Sequence, residues 1–249
     1  MDSSKFRNNT ADDIGGGVYS EGINFILSKC DFVNNMAVNG GAAYIISYPN
    51  IIDSCNFTDN SADESAGALY LASDNNTVKN SIFKNNSAKN AGAIYCDVND
   101  DLFVLHSTFN NNSANEFGGA IMVDSYANII DSVFYGNNAK IGGAIYSDSE
   151  TEFINSSFSN NNADEGGAMA VNDGAIVNST FVKNSANENG RAIHVSGDLY
   201  ISKIYFSENT ATNVSNNIYL NDAHVTADLD MKIGITNITF GDTLKIKVE

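Results

Sequence analysis

Asp97, Asp124 and Asp148 recur at a spacing of roughly 25 residues, the scale of an internal repeat, and Asn172 adds a fourth member to the series. Each stands three places after the aliphatic that closes a word of small residues: Ile94, Ile121, Ile145 and Met169. If the segments that carry them stack, three carboxylates stand in a line about 5 Å apart. Like charges that close raise a pKa or recruit a cation, and calcium prefers oxygen ligands of this type. Asp97, Asp124 and Asp148 are therefore a candidate calcium column, the one place where the sequence asks for a cofactor. The other use of such residues is plainer: each ends a strand as an Asx turn facing water, its repulsion relieved by rotamers and salt.

Other chemistry finds less material. The two arginines, Arg7 and Arg191, lie at opposite ends of the repeats, and His106, His194 and His224 fall in different frames or outside them. No Ser-His-Asp arrangement and no zinc spacing appears, so no catalytic residue is assigned. Cys30 and Cys55 lie one such spacing apart and Cys96 stands alone, without a C-x-x-C pair. The first two are buried thiols in a small-residue column or, if the geometry allows, a bridge across one turn of chain. With 30 acidic against 13 basic residues the net charge is −17, which disfavours nucleic acid and anionic membranes. No apolar run approaches the roughly 20 residues needed to cross a bilayer, and no secretory leader opens the chain. Met1 begins inside a repeat, so the spacing predicts a monomeric piece of a longer modular protein.

The elements that would position these groups come from a repeat. The word F-x-x-N-x-A starts at Phe6, Phe32, Phe57, Phe83, Phe109, Phe134, Phe158, Phe181 and Phe206, again at intervals of roughly 25 residues. Its asparagine is invariant within the chain: Asn9, Asn35, Asn60, Asn86, Asn112, Asn137, Asn161, Asn184 and Asn209. An aliphatic follows each Phe by about half a period, and another apolar position precedes it by five places. Each copy thus holds three short apolar patches bounded by Asn, Ser, Gly and Asp, too short for helices and without a helical period.

A period near 25 with three strands per copy predicts an all-β, right-handed, single-stranded parallel β-helix of about nine coils, like residues stacking on like. Phe fills the interior. The Asn column predicts an internal amide ladder, satisfying groups that cost about 1 to 3 kcal/mol each if buried unpaired. Paired glycines allow positive φ or close backbone approach.

The repeated words GGAI at 118–121 and 142–145, GGAM at 166–169, and AGAL, AGAI and GRAI at 66–69, 91–94 and 190–193 carry a resemblance. With F-x-x-N they resemble the polymorphic outer membrane protein repeats of chlamydiae and the adhesin-like surface proteins of methanogenic archaea. That resemblance covers residues 1–220 and implies extracellular display and attachment to a glycan or surface protein of another cell. The chlamydial type would end in a membrane barrel. Residues 221–249 instead alternate like two or three strands, as in a cap or the start of an immunoglobulin-like module, which favours the archaeal type. Two alternatives stand beside adhesion. One is a carbohydrate-active protein, since pectate lyase-like β-helices host lyases and hydrolases; the other is a passive spacer.

Overall fold

The phenylalanines, aliphatics and asparagines settle into separate columns because every strand pairs with its equivalent one copy away. The computed structural model describes residues 1–97, 101–212, 216–221 and 223–227. Three nine-stranded parallel sheets run its length. One begins with Lys5–Arg7 and carries the Phe column, the second begins with Val18–Ser20 and the third with Ile23–Ser28. Strands are 3 to 6 residues long in the first coils, as the short apolar patches require. Register is residue-for-residue: Phe57 pairs with Phe83, Leu69 with Ile94, and Val78 with Val104. This is the expected β-solenoid of about nine coils. A fourth run of short pairings after each asparagine, such as Ser87–Ala88 beside Ser113–Ala114, adds to the three strands expected per coil. Among the described residues there is no helix, and hence none long and apolar enough to cross a membrane.

The coil closes because each copy places residues in the left-handed region at its corners. One stands three before the Phe (Asn80, φ 52; His106, φ 48) and one two after it (Asn85, φ 54; Asn111, φ 54). The third is the first member of the small pair, Gly118 at φ 60 or Ala91 at φ 55. Asn and Gly tolerate this conformation best, which accounts for much of the composition. The second glycine has a different reason. A Cβ on Gly119 would lie 2.1 Å from the carbonyl oxygen of Gly143 on the next coil.

Inside, Phe32 through Phe181 are fully buried, with neighbouring rings nearly parallel and 4.7 to 5.0 Å apart. Each fully buried Phe contributes about 1.5 to 3 kcal/mol from hydrocarbon, and stacking adds to it. The asparagines form a continuous ladder. Each Nδ2 donates to the next Oδ1 at 2.8 to 3.1 Å. It also donates to the Phe carbonyl of the preceding coil, as from Asn112 to Phe83 at 3.0 Å. Each Oδ1 accepts in addition from the preceding backbone amide, so the buried column is satisfied on both sides.

A second polar column lies two places before the Phe. The backbone amide of Ser81 donates to Ser107 Oγ at 3.2 Å, and that of Cys55 to Ser81 Oγ at 3.1 Å. Cys30 and Cys55 take the serine role: the Cys30 amide donates to Cys55 Sγ at 3.4 Å. All three cysteines are free and buried, so the bridge is not formed. Burial pushes the Cys55 thiol up to about 12, leaving it unreactive. Strand His224–Ala227 continues the third sheet, and residues 228–249, most of the expected cap or module, lie outside the described residues.

Candidate functional site

The second sheet turns its middle residues away from the core. In register these are Tyr19, Tyr44, Tyr70, Tyr95, Met122, Tyr146, Ala170, His194 and Tyr219. Alternation along a three-residue strand explains the placement, since the aliphatics on either side point inward. Tyr44 and Tyr70 stack at 4.4 Å, and Tyr70 meets Tyr95 edge-on at 4.9 Å.

Beside this stripe runs the acidic column. The structure brings Asp97, Asp124 and Asp148 onto successive coils, with Asn172 and Ser196 continuing the line. Each carboxylate accepts a tyrosine hydroxyl: Tyr70 to Asp97 at 3.0 Å, Tyr95 to Asp124 at 2.5 Å, and Tyr146 to Asp148 at 3.3 Å. Burial and the adjacent acids push the phenols up, Tyr146 to about 12. Asp124 is also held above the ordinary carboxylate range, first by burial and then by Asp148 and Asp97, against the donating Tyr95. Among the described residues no three His, Cys, Asp or Glu side chains are grouped so as to hold a metal ion. Calcium at the column would have to compete with the tyrosine hydroxyls for its ligands.

The histidines separate. His106 lies 3.5 Å from Asp131 and His224 3.3 Å from Asp198, both pairs exposed. His194 instead stands in the tyrosine column, its Nδ1 2.8 Å from Glu165 Oε2 but not aligned for a hydrogen bond. Burial drives its pKa down, with Glu165 opposing. Next to it the stripe has a gap. Ala170 sits between Tyr146 and His194, and a cleft of ≈ 160 Å³ opens over it.

Sequence reasoning missed this face. Its signal was a tyrosine after the aliphatic in AIY and LYL words, at the period already known for the Phe. Glu165 beside His194 had no such signal, because the two occupy different frames, a little more than one period apart.

The stripe and column belong to a repeat that known families share. The family model described as the right-handed beta helix region matches residues 2–130, just over half of the chain. The Chlamydia polymorphic membrane protein repeat matches residues 131–148, the copy holding Phe134, Asn137, the GGAI word and Asp148. Comparisons with curated proteins and with solved structures give no match.

Proposed function

This chain belongs to the right-handed β-helix family, and from that premise we propose that it is an adhesive rod displayed outside the cell that binds glycans along its tyrosine and carboxylate stripe. The observation that carries the reading is the stripe itself. Half-buried phenol rings offer a ribbon of apolar ring surface to sugars, and the adjoining carboxylates accept hydroxyl hydrogen bonds. Repetition at the coil spacing suits a repeating polymer, where weak contacts at each coil add as avidity. The polymorphic membrane protein repeat supports a place at the cell surface. Among the described residues no lysine or arginine lines the cleft over Ala170.

The test is a panel of immobilised neutral and amino oligosaccharides, with binding of whole cells as the second readout. The wild type is expected to bind a subset, and Tyr70→Ala with Tyr95→Ala to lose it without losing the fold. An empty panel and no cell binding would leave only the passive spacer.

A further inference from the structure

The cleft over Ala170 differs from the rest of the stripe. Ala170 lies on the outward side of its strand, yet it is only 6% exposed, because taller neighbours wall it in. Tyr146 stands on one side along the axis and His194 on the other. Phe117, Ile141 and Glu165 line one flank, paired coil to coil, and the Phe117 ring packs on Tyr146 at 4.7 Å. Asp148 and Ser196 line the opposite flank.

The electrostatics of this notch are one-sided. Two carboxylates, Glu165 and Asp148, face a space with aromatic walls. Burial disfavours the charged form of the nearest cationic candidate, His194, with Glu165 opposing. An aromatic face beside two carboxylates, Glu165 half-buried and Asp148 exposed, attracts an organic cation, with the ring quadrupole adding to the negative charge. Hydroxyl-accepting groups on the far flank suit a polyol skeleton around that cation. Acidic sugars are excluded by the same charges.

We propose that the notch at Ala170 is a selective subsite for an amino sugar, its ammonium held between Glu165 and the Tyr146 ring and its hydroxyls donating to Asp148. The proposal rests on the glycan-binding reading and narrows it to one coil and one sugar class. Elsewhere along the stripe a tyrosine commonly fills the corresponding space, so selectivity resides here.

The experiment compares a glucosamine tetramer with its N-acetylated counterpart by calorimetry; the two have the same backbone and differ in charge. Wild type is expected to prefer the charged form at least tenfold. Because a chain of net charge −17 attracts any polycation, the control must leave charge alone. Ala170→Tyr does so: it places the commonest residue of the column between Tyr146 and His194, and is expected to abolish the preference. Glu165→Gln should reduce it about tenfold, independently of how Ala170→Tyr packs. Equal affinity for the two tetramers, or a preference that survives Ala170→Tyr, overturns the subsite while neutral-glycan binding on the stripe still stands. A lysine tetrapeptide bound more tightly than the sugar overturns the ligand class. Failure to bind any oligosaccharide overturns the broader reading as well.

Discussion

Asn111 and Asn112 are neighbours in sequence with unrelated duties. Asn112 Oδ1 accepts from the backbone and side chain of Asn86, and its Nδ2 donates to Phe83 O and Asn137 Oδ1. Asn112→Ala leaves two or three buried groups without partners, at about 1 to 3 kcal/mol each. At about 2 to 4 °C per kcal/mol for a chain of this size, Tm is expected to fall by roughly 10 °C. Asn111 sits at φ 54 on the surface. Asn111→Ala costs only the left-handed strain of about 1 kcal/mol, and Asn111→Gly is close to neutral, as Gly136 holds the same place one coil on. Equal melting shifts for the two alanine variants would refute the inward ladder. Asp124 makes a pH-dependent prediction. Its folded pKa lies above its unfolded one, so folding is penalised at pH above that raised value and not below the ordinary carboxylate range, near 3.9. Asp124→Asn keeps an acceptor for Tyr95 and is expected to melt above wild type at pH 7, the difference vanishing near pH 3. Run in chelator and then with calcium, the same pair reads the candidate metal column: a calcium-dependent rise in Tm that Asp124→Asn lacks would assign it.

Each strand–turn element is set by its corners, and the small pair shows how. In five copies the pair is Gly-Gly, and the two glycines answer different needs. Gly118 carries φ 60, whereas Gly119 has no room for a Cβ, with Gly143 O at 2.1 Å and Asn138 O at 2.6 Å. Gly119→Ala must push two coils apart and is expected to destabilise by several kcal/mol. Ala91 occupies the first position at φ 55, so Ala91→Gly is expected to stabilise. The left-handed cost of about 1 to 2 kcal/mol disappears, and the entropy lost with glycine is about 0.5 to 1 kcal/mol. A thermal melt of both variants checks the opposite signs. The sequence makes these elements legible because a column repeats its demand once per coil: nine phenylalanines and nine asparagines leave little freedom in register. What it hid falls into two kinds. The tyrosine stripe was present in the words but is outward-facing, where packing imposes no single residue, and Met122, Ala170 and His194 blur it. Asn50 and Asn76, a buried pair linked at 2.8 Å in the third sheet, share a column on two coils only, before Leu102 and Ala127 take it over, and Glu165 beside His194 occurs once, so the repeat announces neither pair.

As a whole the molecule is a one-dimensional stack, since every sheet pairing joins a strand to its equivalent on an adjacent coil. Stability in such a stack is close to a sum of coil and interface contributions. Removal of one full period is therefore tolerable where removal of half a period is not. Deleting residues 110–134 joins Phe109 to Tyr135, and because Phe109 and Phe134 hold the same place in the coil, every later residue keeps its column. The shortened chain is expected to retain its β signature by circular dichroism, melt in one transition at lower temperature, and lose about 4.8 Å of length in solution scattering. Deleting residues 110–122 removes about half a coil. Phe134 then arrives where an aliphatic of the second sheet belonged, the asparagines leave their ladder, and the left-handed corners fall within strands. That chain is expected not to fold. If both deletions behaved alike, whether folded or unfolded, coil-on-coil register would not be what holds the rod together.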